Sequence, residues 1–187
     1  MYNIQEVFTL KKVLILSSSP RPTSNSDLLC DEFLRGAVAA GHTAQKIRLA
    51  GLALNPCLAC DYCRSHNCKC VQDDDMKEIV PALMAADVIV LASPVYFHSI
   101  SAQLKMVLDR TYNSYQNYVN KEFYFLFTSA SDSEVMKDGA LAGFRSWVSC
   151  LPGASEKGFI WGKGLSQQGL TAASPVMQEA YMMGSMI

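Results

Sequence analysis

Three short, unbroken apolar segments constrain the fold of this chain more than any other feature. They span Lys12–Ser17, Asp87–Ser93 and Glu122–Thr128, and branched or aromatic side chains dominate each of them. None alternates apolar with polar residues, so each is typical of a strand that is buried on both faces of a parallel sheet. Each is far shorter than the roughly 18 to 20 apolar residues that a membrane-spanning helix needs.

Helical patterns separate these strands. Ser26–Ala40 repeats apolar residues at helical spacing and is closed by Gly41, so it predicts a helix directly after the first strand. The same criteria predict two further strands, Thr43–Leu49 and Glu156–Trp161, and four further helices, Asp74–Ala86, Ser101–Tyr112, Ser133–Cys150 and Ser174–Met183. Five strands alternating with five helices predict one α/β domain over residues 1–187. We expect a three-layer, doubly wound, five-stranded parallel sheet with helices on both faces.

Composition narrows the choice of partners. Half of the 187 residues are hydrophobic, only 18% are charged and the net charge is −1, which indicates one well-filled core. Such a charge balance gives no broad positive field, so we expect neither a nucleic-acid nor a membrane partner. Small molecules are the expected partners. The Met1–Lys12 segment lacks the layout of a secretory signal, and we therefore expect a cytoplasmic protein.

A polar segment, Ser17–Ser26, follows the first strand and is called the phosphate loop below. It offers five serine hydroxyls, a threonine, an asparagine, an arginine and backbone N–H groups just before a helix, where an anion binds favourably. It contains neither G-x-G-x-x-G nor G-x-x-x-x-G-K-S/T, which favours a phosphate monoester over a dinucleotide or a nucleoside triphosphate. Asn25 and Ser26 are expected to cap the helix as well. The plainer interpretation is a polar turn with a capping serine.

Four motifs in a fixed order carry a resemblance to a known family. They are Ser19-Pro-Arg-x-x-Ser-Asn-Ser26, Asp74-Asp-Met76 at the end of a cysteine-rich loop, Ser93-Pro-Val-Tyr96, and Gln103-Leu-Lys105 followed by Asp109-Arg110. Over roughly residues 12–129 the chain resembles the flavodoxin-like NAD(P)H-dependent FMN reductases, including their iron–sulfur flavoprotein branch. The resemblance implies the strand order 2-1-3-4-5 and FMN as the bound cofactor.

The resemblance also assigns cofactor contacts. It implies that the FMN phosphate is held in the phosphate loop, by Ser17, Ser19, Arg21, Ser24, Asn25 and Ser26. It implies that the isoalloxazine ring lies along Pro94, Val95, Tyr96, Phe97 and His98, with its pyrimidine edge facing Thr128, Ser129 and Ala130. Ser24 stands where the family commonly has glycine, and a turn with positive φ at this position would strain a serine backbone.

The aromatic pair after the third strand is compatible with a ring site, and the resemblance favours a flavin there. Tyr96 and Phe97 have side chains that can stack on a planar ring, although two core aromatics after a strand would look the same in sequence. His98 is a lone loop histidine, for which we expect a positional role. No side chain is singled out as a catalytic acid or base, because a flavin carries its own chemistry.

Residues 55–72 form a cysteine-rich loop, called the cysteine loop below. Two residues separate Cys57 from Cys60 and Cys60 from Cys63, and Cys68 and Cys70 follow. Four such thiolates can hold a 4Fe-4S cluster or a tetrahedral zinc, with Cys68 or Cys70 as the fourth ligand; the resemblance favours the set Cys57, Cys60, Cys63 and Cys70. The alternative is free thiols. Cys30 and Cys150 are expected to be structural, and Asp73–Asp75 is expected to cap a helix.

Three functions are compatible with these features. The leading one, implied by the resemblance, is an oxidoreductase in which NAD(P)H reduces bound FMN and FMN reduces a quinone, a flavin or another small acceptor. The alternatives are an electron-transfer iron–sulfur flavoprotein, with FMN and a 4Fe-4S cluster, and a phosphate-ligand binding protein with a structural zinc. The aromatic stretch Tyr112–Tyr118 suits a subunit contact, so we expect a homodimer or homotetramer.

Overall fold

A computed structural model describes residues 9–187, so the predicted leader Met1–Lys12 lies mostly outside the described residues. At its centre is a parallel sheet of five strands in the order β2-β1-β3-β4-β5, which confirms the predicted topology. Every neighbouring pair of strands is parallel. The strands are β1 (Lys12–Ser17), β2 (Thr43–Arg48), β3 (Val88–Pro94), β4 (Glu122–Thr128) and β5 (Ser155–Gly162).

Helices cover both faces of this sheet, as predicted. They are α1 (Asn25–Ala39), α2 (Tyr62–Ser65), α3 (Met76–Ala85), α4 (Ala102–Arg110), α5 (Glu134–Val148) and α6 (Val176–Ser185). The short α2 lies in the cysteine loop and was not predicted, because four residues carry no helical periodicity. Within the described residues, no helix combines the length and the apolarity that crossing a membrane requires.

The two faces of the sheet bury alternate residues of the same strands. On one face, Leu14 of β1 and Phe125 of β4 belong to a large cluster that α3, α4 and α5 complete. On the other face, Ile15 and Leu126 pack with α1 and α6. Each central strand is therefore apolar on both sides, which is the physical reason for the unbroken apolar runs in the sequence.

All five strands point the same way, so their carboxyl ends share one edge of the sheet. Ser17, Arg48, Pro94, Thr128 and Gly162 mark this edge. In doubly wound sheets the ligand lies outside this edge, where the strand order reverses, which here falls between β1 and β3. The phosphate loop and the loops after β3, β4 and β5 all leave from it.

Candidate functional site

A cleft of about 240 Å³ opens at this edge, between the phosphate loop and the loops that follow β3 and β4. Most of the predicted cofactor contacts line it, whereas Ser17, Phe97, His98 and Ser129 do not. The lining residues are Ser19, Arg21, Ser24, Asn25, Ser26, Pro94, Val95, Tyr96, Thr128, Ala130, Leu165, Ser166 and Gln168.

The start of α1 presents hydrogen-bond donors to this cleft. Ser24 is the N-cap, and its Oγ accepts a hydrogen bond from the backbone N–H of Asp27 at 3.2 Å. Among the described residues, the backbone N–H groups of Asn25 and Ser26 have no acceptor. Free N–H groups and the positive end of the helix dipole favour a phosphate at this point. The expectation that Asn25 or Ser26 caps the helix was wrong, because Ser24 occupies that position.

The strained residue of the phosphate loop is Thr23 and not Ser24. Thr23 has φ 48°, in the left-handed region, whereas the backbone of Ser24 is extended with φ −71°. The extended backbone is the ordinary conformation of an N-cap residue, so serine fits there without strain. The concern that serine replaces a glycine in a positive-φ turn therefore does not apply at Ser24.

Ser17 lies beneath the cleft, where it belongs to a charge network. Its Oγ donates to Asp27 Oδ1 at 2.6 Å, and the same carboxylate lies 3.2 Å from Lys46 Nζ and 3.6 Å from Arg48 Nε. An Arg48 guanidinium N–H also donates to the Arg21 carbonyl at 3.2 Å, which ties the phosphate loop to the end of β2. The network fixes the base of the loop.

A second polar network joins the phosphate loop to the start of α4. Ser18 Oγ donates to the Ala92 carbonyl, and the Ser101 hydroxyl donates to Ser18 Oγ, each at 2.8 Å. The backbone N–H of Ser101 donates to Ser93 Oγ, also at 2.8 Å. The three serines are buried, so these bonds hold the loops after β1 and β3 in a fixed relation.

The loop after β3 forms one side of the cleft and ends in a tight turn. Val95 N–H donates to the Thr128 carbonyl at 2.8 Å, so this loop is anchored to β4. Tyr96 and Ser99 exchange two backbone hydrogen bonds, of 2.9 and 3.0 Å. Between them Phe97 and His98 have positive φ, and the Phe97 ring is fully exposed and does not line the cleft.

The Tyr96–Ser99 turn rests on α5 at a glycine. A Cβ atom at Gly139 would overlap the carbonyl oxygen of His98, so only glycine allows this approach. This contact fixes the backbone of the turn beside Tyr96, which is 42% exposed at the mouth of the cleft.

Ser129 is turned away from the cleft, between Thr128 and Ala130, which line it. Its backbone N–H donates to the Gly162 carbonyl at 2.9 Å. Its hydroxyl accepts from Trp161 Nε1 at 2.7 Å and donates to the Ser131 carbonyl at 2.6 Å. Ser129 thereby joins the ends of β4 and β5.

One wall of the cleft was not predicted; it is formed by residues 163–171 after β5, called the 163–171 segment below. Leu165, Ser166 and Gln168 from this segment line the cleft. Asn25 Nδ2 donates to the carbonyls of Leu165 at 3.0 Å and of Gln167 at 2.7 Å, and its Oδ1 accepts from Thr171 N–H at 3.3 Å. This wall could have been predicted from the sheet order, because β5 ends at the same edge of the sheet as β1, β3 and β4.

The cysteine loop brings thiols near one another without gathering a metal site. No disulfide links its cysteines, and in the part of the chain that the structure describes no three metal-binding side chains converge at ligand spacing. Partial burial raises the pKa of Cys63, and the neighbouring thiols of Cys70 and Cys60 act in the same direction. Cys30 is buried as expected, whereas Cys150 is exposed just after α5.

A buried ion pair holds the two ends of the cysteine loop together. Two guanidinium nitrogens of Arg110 lie 2.6 and 2.9 Å from the two carboxylate oxygens of Asp74. The same guanidinium donates to the Asn55 carbonyl at 2.7 Å and to Cys70 Sγ at 3.5 Å, at the two ends of the loop. Asp74 therefore does more than the expected helix capping, although its Oδ1 does accept from Met76 N–H at 3.2 Å.

The site fits FMN by the chemistry of its donors. The free N–H groups at the start of α1, the hydroxyls of Ser19, Ser24 and Ser26, and the Arg21 guanidinium match a phosphate monoester. Pro94, Val95 and Tyr96 offer an apolar and aromatic side for a flat ring. The thiols of the cysteine loop match a 4Fe-4S cluster by donor type, but their spacing in this conformation does not yet form a ligand set.

Fold and site together place the chain in the class of flavodoxin-like, FMN-binding oxidoreductases. A model of one family of this class, described as NADPH-dependent FMN reductase, matches residues 11–145. The chain belongs to this family.

Several curated relatives and solved structures are similar to the chain, among them two iron-sulfur flavoproteins and one NAD(P)H:quinone oxidoreductase. An iron-sulfur flavoprotein of Methanocaldococcus jannaschii is 45% identical over 100 residues, which is 54% of this chain and 51% of that protein. An iron-sulfur flavoprotein of Methanosarcina thermophila is 37% identical over 100 residues, 54% of this chain and 52% of that protein. The chain thus spans about half the length of these relatives. An NAD(P)H:quinone oxidoreductase from Methanothermobacter marburgensis has the same fold, with TM-score 0.71, 17% identity and coverage of 95% and 96% of the two chains.

Proposed function

We propose that this protein is an FMN-dependent oxidoreductase that takes electrons from NAD(P)H and passes them to a small acceptor such as a quinone or a flavin. The observation that carries the proposal is the cleft in which the free N–H groups of α1 adjoin the Pro94–Tyr96 side. When bound, FMN supplies hydride and electron transfer between donor and acceptor.

The residues of the chain bind and orient the cofactor. Ser19, Ser24 and the N–H groups of α1 hold the phosphate, and Arg21 adds a positive charge beside it. The turn behind Tyr96 is fixed by Gly139, so the ring side of the cleft is rigid. A rigid site keeps the ring in one orientation toward the donor and the acceptor.

The exposure of the ring side supports small-molecule partners. Tyr96 is 42% exposed at the mouth of the cleft, and Phe97 beyond it is fully exposed. A nicotinamide ring or a flat acceptor can reach a flavin from this side without a dedicated nucleotide pocket. The fold relative named an NAD(P)H:quinone oxidoreductase is in keeping with this proposal.

A second function is favoured by the cysteine loop. Five free cysteines in one loop suit a 4Fe-4S cluster that exchanges single electrons with a protein partner. The iron-sulfur flavoproteins among the relatives support this alternative. Cluster binding would require the loop to draw Cys57, Cys60, Cys63 and Cys70 closer together.

The absorption spectrum of anaerobically purified protein tests both functions. A flavin spectrum that bleaches within seconds on addition of NADPH or NADH supports the leading proposal. Broad absorption with iron and acid-labile sulfide, and slow bleaching, supports the electron-transfer function. A colourless protein that takes up neither added FMN nor iron with sulfide would contradict both.

We retain the proposal of a homodimer or homotetramer, which sedimentation of the FMN-loaded protein tests. Within Tyr112–Tyr118, Tyr112 is 48% exposed, whereas Tyr118 is buried and its hydroxyl lies 2.7 Å from Ser114 Oγ. Tyr112 is therefore the tyrosine of this pair that is available to a subunit contact. A monomer under these conditions would contradict the proposal.

A further inference from the structure

The 163–171 segment lies across the phosphate end of the cleft and is fastened there from two sides. Asn25 holds it through the Leu165 and Gln167 carbonyls and the Thr171 N–H. On the outer side, Gln168 Nε2 donates to the Pro22 carbonyl at 2.6 Å and to Thr23 Oγ1 at 3.0 Å. Asn25 and Leu165 lie 140 positions apart in the chain, so these bonds join two distant segments, the phosphate loop and the 163–171 segment.

The hydrogen bonds of the Asn25 side chain leave that side chain no donor for a phosphate, whereas its backbone N–H stays free of any acceptor among the described residues. A side-chain amide has two N–H donors, and both are taken by carbonyl groups of the segment. Asn25 is also buried, so its side chain is fixed in this arrangement. It therefore acts through the segment, as a positioning residue, and the phosphate is left to the N–H groups and hydroxyls around it.

We propose, on the basis of the FMN function above, that the fastened segment makes the site selective for a flavin that ends in a phosphate monoester. In FAD the same phosphate continues into a second phosphate and an adenosine, which must leave the phosphate end of the cleft. The Asn25 and Gln168 bonds join the segment to the phosphate loop. On this proposal, the joined segment leaves no gap there for the second phosphate and the adenosine of FAD. FMN needs no exit, because its phosphate is terminal.

The test is the ratio of the dissociation constants for FAD and FMN, measured on apoprotein by flavin fluorescence. For the unaltered protein we expect FMN to bind more tightly than FAD by about a hundredfold or more. Asn25→Ala releases the segment, so the ratio should fall by about tenfold, through weaker FMN binding and unchanged or tighter FAD binding. Gln168→Ala should shift the ratio in the same direction, by a smaller factor.

Two further measurements separate this role from a general loss of structure. Ser24, not Asn25, caps α1, so the circular dichroism of Asn25→Ala should stay as in the unaltered protein. Trypsin should cut the altered protein faster after Lys163, because the segment is no longer held. Asn117→Ala, on an exposed residue outside the cleft, is the matched control and should change neither the ratio nor the cutting rate.

The outcomes are distinct. If Asn25→Ala weakens FMN and FAD by the same factor, or leaves both unchanged, the proposal on selectivity is overturned while the FMN function stands. If the unaltered protein binds neither flavin, the FMN function itself fails.

Discussion

Asp74 and Arg110 form a bidentate ion pair whose side chains are only 4% and 2% exposed, and it joins the two ends of the cysteine loop to the end of α4. Both residues belong to motifs that suggested the family, and the structure shows that these motifs contact each other. Removal of one partner should leave an uncompensated buried charge. The pair therefore fixes the two ends of the loop, while the thiols of Cys57, Cys60 and Cys68 stay exposed.

Asp74→Asn should lower the free energy of unfolding by about 3–5 kcal/mol, because the Arg110 cation would remain buried without its counter-charge. Urea unfolding followed by circular dichroism measures this. Asp73→Asn is the matched control, since Asp73 has a 90% exposed side chain and only a surface contact with Lys77 at 3.5 Å. The control should change stability by less than about 0.5 kcal/mol. Equal effects of the two substitutions would contradict the role of the pair.

Acid should weaken the protein through the same carboxylate. Burial by itself raises the pKa of Asp74, but hydrogen bonds from Arg110 and from the N–H groups of Asn55 and Met76 outweigh it, so this pKa lies below its ordinary value. A lowered pKa in the folded state stabilises the protein above the unfolded value of about 3.9, and this contribution is lost as the pH falls through the folded value. The free energy of unfolding should be measured between about pH 6 and about pH 2. Over this range it should fall more steeply for the unaltered protein than for Asp74→Asn. Parallel curves would rule this out.

If the cysteine loop holds a 4Fe-4S cluster, Cys70 and not Cys68 should be the fourth ligand. Arg110 donates to Cys70 Sγ at 3.5 Å, and such a hydrogen bond both orients a ligand and stabilises its negative charge. Cys68 is exposed, and its carbonyl, not its thiol, is engaged by Asn113. After anaerobic reconstitution, Cys70→Ser should lose most of its iron and sulfide, whereas Cys68→Ser should keep both. The reverse pattern would assign the ligand to Cys68.

Structure could be predicted from the sequence wherever burial or binding produces a pattern among neighbouring residues. The runs at Lys12–Ser17 and Glu122–Thr128 are apolar throughout because both of their faces are buried, so the strands and the sheet could be predicted. The phosphate loop could be found because donors and a helix start lie within ten residues. The partner of Asn25, in contrast, is the 163–171 segment, and a contact over about 140 positions has no periodicity or motif. The same applies to Asp74 and Arg110, whose motifs were recognised but not paired.

Ser24 should act on stability as an N-cap and on FMN binding as a cleft hydroxyl. Ser24→Ala removes the acceptor of the Asp27 N–H and should lower the free energy of unfolding by about 1 kcal/mol, whereas Ser24→Gly should cost only a few tenths. Both substitutions should weaken FMN binding, because both remove the hydroxyl. Ser133→Ala is the control, since Ser133 precedes α5 without a side-chain capping bond. Thermal unfolding and FMN titration measure the two effects; a control that loses as much as Ser24→Ala would contradict the cap.

Gly139 and Gly143 offer a matched pair on one helix for the role of the Tyr96–Ser99 turn. Alanine at either position should favour α5 by up to about 1 kcal/mol through helix propensity. At Gly139 the added methyl overlaps the His98 carbonyl, so the turn must move and carry Tyr96 with it. At Gly143 the methyl meets only the Ile100 side chain, with its Cγ2 at 3.2 Å, which can adjust. We therefore expect Gly139→Ala to weaken FMN binding by about tenfold and to slow reduction by NAD(P)H, and Gly143→Ala to change neither. Flavin fluorescence and anaerobic stopped-flow absorbance measure these effects, and equal FMN affinities in the two variants would show that the turn does not position the ring.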